Sequence, residues 1–511
     1  MRFHVLGLGP IGTLISHHLR LSLDQQHAVV HIHKNLQQLR KAMRTGSSVT
    51  IERDGVTQTS AGYRGEVYEA LVQMRQDART VREANATDAQ QGEVDKERAR
   101  KSTTEPASQI ESLIVTIKAP AVLPALRQLS NRLTPNSTIV LLHNGMGVYE
   151  QVIAEVFRNP DRRPHFILAS NNHGAWNQGY LHTVHSGVGS IEFGIVPDPR
   201  GRDFETQRAE NEEPWAERRL SLDSIATPQD AAASPYTSLR NTVAALSSLS
   251  ALQTSWQPIS RVIIAMKRKV VVNSAINSLT AIMGCRNGEL LHSRHATRIM
   301  RRVCEEAALV YALQANEDLR LSGHPLALPS SKSLSSSSKS MLLHRLPSSL
   351  KARALEDECL RVSKITEANT SSMLTDIRSS KRTEIAYLNG YLLGLGRAHG
   401  LKMPVNNTLL NMVRMREEIS LDRIMDIPNH PKSRSLPRVV APPKSVHLSE
   451  QGPLVSPDDL VEGPEIAEVE YADEELVGER IQADDIEMVR GFSEAVLSPY
   501  CLSLSNDSRP N

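Results

Sequence analysis

The chain has 511 residues, which is too many for a single hydrophobic core, and its formal net charge of +2 with 23% charged residues gives no argument for a nucleic-acid or membrane surface. Aromatic residues make up only 4% of the chain, so some stretches are expected not to pack at all. Four cysteines (Cys285, Cys304, Cys359, Cys501) show no C-x-x-C spacing, which argues against a disulfide framework or structural zinc, and no apolar run approaches the ~18 residues of a membrane span.

Along the chain, "RFHVLGL" at 2–8 reads as a buried strand that starts too early to leave room for a targeting segment. The glycine loop Gly7-x-Gly9-x-x-Gly12 follows, then the helical pattern "IGTLISHHLRLSL" and a second strand, "HAVVHIHK". "ESLIVTIKAP", "STIVLLHNGMG" and "PHFILAS" read as further parallel strands, giving the strand–helix alternation of a doubly wound sheet. Residues 75–108 and 200–235, the serine tract at 328–340 and everything after about 428 are polar or proline-rich and are expected to be disordered. The tail is acidic between Asp458 and Glu487; a rival reading has it docking on a partner. Residues 262–283 predict one strong helix ending at a glycine. "RTEIAYLNGYLLGLGRAHG" predicts another, with Ile385, Leu388, Leu392 and Leu393 on one stripe, so the second half is helical.

In this context the glycine loop has a mechanism. Gly7 permits the tight turn, Gly9 the approach of a pyrophosphate to the backbone, and Gly12 close helix–strand packing, while the helix start offers free N–H groups. The loop Gly7, Leu8, Gly9, Pro10, Ile11, Gly12 is therefore the candidate cofactor cradle. A glycine turn without that purpose is the competing reading. Where an NAD site places an acid, the second strand ends in Lys34, with Arg40 farther on; cations there favour the 2′-phosphate of NADP, unless Lys34 is simply a solvated lysine.

The helix at 262–283 carries Lys269, Asn273 and Asn277 at i, i+4 and i+8 on one face of an otherwise apolar rod. Such groups either satisfy one another as a structural seam or line a cleft. In a cleft, a partly desolvated lysine can protonate a developing alkoxide, and amides can hold substrate oxygens. Asn287 is a further candidate or a helix cap. Farther along, the stretch "NTSSMLTDIRSSKRTEIAYLNG" adds Ser371, Ser372, Asp376 and Glu384. Glu384 either favours a helix dipole or reaches Lys269 or a substrate hydroxyl.

The stretches "VLGLGPIG", "HNGMG" at 143–147, "KVVVNSAINSLTAIMGCRNGEL" at 269–290 and "TSSMLTDIRSSKRTEIAYLNG" at 370–390 resemble the ketopantoate reductase (2-dehydropantoate 2-reductase) family over about 1–74, 109–199 and 237–425. The resemblance implies an α/β fold: an N-terminal Rossmann-type doubly wound sheet plus a C-terminal all-helical domain, with disordered insertions and tail. The expected boundaries are 1–258 for the NADP-binding domain, 259–427 for the helical substrate and catalytic domain, and 428–511 for the tail.

It also implies NADPH-dependent reduction of 2-dehydropantoate to (R)-pantoate, toward pantothenate and coenzyme A, with hydride delivered to the C2 ketone. Lys269 is then the acid and Glu384 its orienting partner. Asn144, Asn273, Asn277, Asn287 and Ser372 fall on the substrate, while Lys34, Lys118, Asn144 and Glu384 join the glycine loop on the cofactor side. Lys34 stands where the family often has arginine, which loses the bidentate fork and weakens NADP preference without reversing it. The alternatives are a reductase of another branched 2-keto acid and a non-catalytic NADP(H)-binding regulator. A small-molecule 2-keto acid partner, no metal, no nucleic acid or membrane, a monomer or homodimer, and a cytoplasmic location that does not exclude a mitochondrial fraction complete the expectations.

Overall fold

A computed structural model describes residues 1–68, 109–202, 204–205, 220–227, 233–329 and 335–419. The acidic tail and the expected insertion at 75–108 lie outside them, as does part of 200–235.

The N-terminal half holds β1 (Arg2–Leu6), α1 (Pro10–Ser22), β2 (Ala28–His33), α2 (Leu36–Arg44), β3 (Val49–Arg53), β4 (Val56–Ser60), β5 (Arg64–Val67), β6 (Ser112–Val115) and α3 (Ala119–Leu129). It continues with β7 (Thr138–Leu141), α4 (Val148–Glu155), β8 (His165–Asn171), β9 (Gly174–Gly179), β10 (His182–Gly187), β11 (Ile191–Ile195), α5 (Leu222–Ile225), α6 (Ala233–Ser247) and β12 (Thr254–Trp256). One eight-stranded sheet runs β12-β11-β8-β7-β6-β1-β2-β5; its pairs from β5 to β8 are parallel and β11 is antiparallel to β8. β6, β7 and β8 are buried at every residue, as the continuous apolar runs of a sheet covered on both faces require. Chain order reverses between β1 and β6, which opens a crevice at the carboxyl ends of these strands.

A second sheet, β4-β3-β10-β9, packs against α1. The sequence reading missed it because β4 and β9 are largely exposed and carry little alternation.

The helical half comprises α7 (Ile259–Met283), α8 (Arg294–Leu321), α9 (Ser336–Arg345), α10 (Ala352–Ile365), α11 (Ser372–Arg378), α12 (Asn389–Ala398) and α13 (Pro404–Glu418). α7 is buried around most of its circumference and stops at Gly284, whose φ of 71° is a left-handed cap. One apolar core runs from Leu126 and Val152 on α3 and α4 through Val271, Ala307 and Leu392, so the sheet and the helices share an interior. Among the described residues, no helix is long and apolar enough to cross a membrane.

Three expectations are corrected. The helix read through 385–398 is two pieces: a 3-10 turn, Ile385–Tyr387, then α12, with Leu388 breaking the run at φ −110°, ψ −96°. The break follows from docking, because the Tyr387 carbonyl accepts the Met146 N–H at 3.0 Å instead of serving a helical ladder. Glu384 accordingly precedes a single turn rather than opening a helix.

The serine tract is ordered on both flanks. Leu328 exchanges two hydrogen bonds with the Asn316 side chain, and Ser335 caps α9, whose Leu342 is buried. Only 330–334 lie outside the described residues there. In 200–235, Phe204 and Ile225 are core residues and the Ser224 hydroxyl donates to the Phe204 carbonyl. These anchors are too sparse to leave a periodic signal.

Candidate active site

The glycine loop sits at the reversal point. Gly7 has φ 107°, and Thr116 Oγ1 donates to its carbonyl at 2.5 Å, locking the turn to the end of β6. A Cβ on Gly12 would lie on the Gly7 carbonyl oxygen, so that helix–strand approach needs glycine. Around Gly9 a Cβ would meet nothing within 4 Å. Gly9 precedes Pro10 at the start of α1, which has no side-chain cap. Open space over uncapped N–H groups fits a phosphate-bearing ligand. Leu8 and Ile11 are half-buried and pack against the core beneath. Lys34, just past β2, is exposed, with its backbone N–H bonded to Gln38.

Three loops at the carboxyl edge, after β6, β7 and β8, meet the helices. Lys118 precedes α3 and pairs with Asp376 of α11. The N–H of Ala119 donates to Glu384 Oε1 at 3.0 Å, and Asn144 Nδ2 reaches Glu384 Oε2 at 3.4 Å. Lys269 Nζ donates to the carbonyl of Asn171, the last residue of β8. Gly145, at φ 85°, has no room for a side chain, since a Cβ would approach the Tyr387 carbonyl within 2.7 Å. Tyr387 in turn hydrogen-bonds Gln151 at 3.1 Å.

Low polarity governs the charges here. Burial pushes Lys269 down to about 8, against the opposing pull of the Glu384 charge. Burial raises the Glu384 carboxyl, with its hydrogen bonds to Ala119 and Asn144 working the other way. Asp376 is also raised by burial, against its bond to Lys118. His143 is lowered to about 4 by burial, and the Lys269 charge adds to this. An ammonium lowered to about 8 exchanges its proton readily near neutral pH, and the Glu384 charge acts on it.

Lys118, Asn144, Lys269 and Glu384 therefore come together. Asn273 and Asn277 continue along α7 at about 6 and 12 Å of helix rise from Lys269, and neither side chain bonds to a described residue. Asn287 stands apart, with its amide nitrogen donating to Thr366 at 2.9 Å and its oxygen buried without a partner. Ser372 is exposed at the start of α11. Its neighbour Ser371 is the cap and bonds Thr280 of α7 at 2.8 Å. Sequence reasoning missed Asn171 and His143. The only available signals were the polar end of "ILASNNHG" and the position next to Asn144. Among the described residues, no cluster has the make-up of a metal site.

Models of the ketopantoate reductase PanE/ApbA family match residues 3–198, and those of its C-terminal domain match 262–417. The chain is 29% identical over 312 residues to 2-dehydropantoate 2-reductase of Escherichia coli O157:H7, covering 61% of this chain and 76% of that protein. It is 24% identical over 307 residues to the probable 2-dehydropantoate 2-reductase of Schizosaccharomyces pombe, covering 60% and 74%. Among solved structures, a PanE/ApbA family ketopantoate reductase from Ralstonia eutropha JMP134 aligns at TM-score 0.51 and 17% identity, over 82% of this chain and 99% of that one. D-mandelate dehydrogenase with NADH and anilino(oxo)acetate aligns at TM-score 0.51 and 15% identity, over 82% and 98%; at this identity the likeness is one of fold. With both halves matched in order, and relatives that are oxidoreductases, the chain belongs to the ketopantoate reductase family.

Proposed function

We propose that this protein reduces 2-dehydropantoate to (R)-pantoate with NADPH. The observation that carries the reading is the placement of Lys269: a half-buried ammonium lowered to about 8, at the carboxyl edge of the sheet, within the electrostatic reach of Glu384. When bound, NADPH supplies the hydride that reaches the C2 carbonyl carbon.

The chain's residues do the rest. Gly7 to Gly12 and the first turn of α1 hold the pyrophosphate, and Lys34 attracts the 2′-phosphate. Lys118 and Asn144 border the nicotinamide side of the cleft. Lys269 gives its proton to the C2 oxygen as negative charge develops there, and Asn273, Asn277 and Ser372 hold the substrate carboxylate and hydroxyl. Glu384 keeps Lys269 protonated and orients Asn144.

The test is NADPH oxidation with 2-dehydropantoate and a panel of other 2-keto acids, run beside NADH. Turnover that disappears in Lys269→Ala while NADPH binding persists supports the reading. Tight NADPH binding with no turnover on any 2-keto acid overturns it.

A further inference from the structure

We propose that Lys41, held in place by Tyr180, is a second cation for the cofactor's 2′-phosphate, acting with Lys34; this rests on the dinucleotide reading above. Lys34 alone is a single exposed ammonium on a flexible stem, a thin basis for selecting a phosphate.

The structure assembles more than that residue. Tyr180 lies in the turn between β9 and β10, far from α2 in sequence. Its hydroxyl bonds His33 Nδ1, at the end of β2, at 2.6 Å and reaches Gln38 Oε1 at 3.5 Å. Gln38 Oε1 also accepts the Lys34 N–H at 3.0 Å. Lys41 stands three residues after Gln38, on the same face of α2, and its Nζ lies over the Tyr180 ring at 5.9 Å from the centroid. Lys41 thus stands over a tyrosine that is tied, through His33 and Gln38, to the strand end that carries Lys34, where a dinucleotide's adenosine ribose is recognised.

Among the described residues, nothing cancels these charges. Neither lysine forms an ion pair with a described residue. The acid on the neighbouring strand, Glu66, is taken up by Arg132 at 2.8 and 3.2 Å. Burial keeps both His33 and Tyr180 neutral. A 2′-phosphate carries close to two negative charges at neutral pH, so two ammonium groups match it. Arg40, the neighbouring residue on α2, is exposed and forms neither a hydrogen bond nor a cation–ring contact with Tyr180.

The test uses the full chain and two adenylates that lack nicotinamide, 2′,5′-ADP and 5′-AMP, measured by calorimetry. Lys34→Ala and Lys41→Ala should each weaken 2′,5′-ADP about tenfold and leave 5′-AMP within about twofold, as expected for one charge contact at a wet surface. Arg40→Ala should lose less than about threefold. Tyr180 is a positioning residue: Tyr180→Phe keeps the ring and the preference, whereas Tyr180→Leu behaves like Lys41→Ala; because both variants lose the His33 bond, Tyr180→Phe controls for any change in stability. Lys41→Ala matching Arg40→Ala, or equal binding of the two adenylates by the natural chain, overturns the assignment but not dinucleotide binding. Failure of both adenylates to bind overturns that reading too.

Discussion

Replacing Glu384 with Gln tests the electrostatic core of the site. The carboxylate is buried, and its charge raises Lys269 against the burial that holds it at about 8. Glu384→Gln keeps an acceptor for the Ala119 N–H and removes the charge, while the second oxygen, which accepts from Asn144, becomes a donor. Losing a neighbouring carboxylate should lower Lys269 by about one pH unit. In the natural protein about nine-tenths of Lys269 is then protonated at pH 7 and half at pH 8; in the variant, about half and about a tenth. The alkaline limb of kcat/KM for NADPH oxidation should therefore move down by about one pH unit, with about a twofold loss at pH 7 and about a fivefold loss at pH 8. Asn144→Ala, which leaves the charge in place, should keep the limb where it is. A limb that stays fixed or moves up in Glu384→Gln refutes the coupling of these two groups.

Other outcomes follow from the same geometry. Gly12→Ala should destabilise the fold by about 1–3 kcal/mol, because its Cβ meets the Gly7 carbonyl, whereas Gly9→Ala should melt normally and lose dinucleotide affinity; thermal melts and NADPH titrations separate the two. Ser371→Ala removes the α11 cap and the bond to Thr280, and should cost about 1–2 kcal/mol in denaturant unfolding. Burial lowers His31 to about 3 and His18, His33 and His165 to about 4, from 6.5. Unfolded histidines therefore bind protons first: stability should be undiminished above pH 6.5 and fall between about 6.5 and 4, each histidine contributing about 1.4 kcal/mol per pH unit. A flat profile across that window refutes the burial of these rings.

Legibility in sequence followed periodicity. β1, β2, β6, β7 and β8 were readable because apolar residues cluster without alternation in strands buried at nearly every position, and α7 because its apolar positions run to a glycine cap. The spacing of Lys269 left a structural seam and a cleft equally open, and the family likeness is what singled out Lys269 and Glu384; the structure puts the two within electrostatic reach of each other. What escaped were contacts made by backbone atoms across long separations. The Asn171 carbonyl beneath Lys269 and the Tyr387 carbonyl that breaks the 385–398 run leave no trace in side-chain patterns. The Lys118–Asp376 pair joins residues 258 apart, and neither flank hints at the other. Short anchors such as Phe204 and Ser335 give order to stretches whose composition alone reads as unstructured.

Asn316 grips Leu328 on one side of the serine tract, and on the other Arg345 donates to the Leu326 carbonyl at 2.6 Å. The departure and return of the chain are thereby stapled to each other before residue 330 is reached. Extra length spliced between them strains neither flanking helix and adds only closure entropy, about 0.6 kcal/mol for each doubling. A reporter peptide or fluorophore inserted between the two staples should therefore leave the melting temperature unchanged and the rod that bears Lys269 undisturbed.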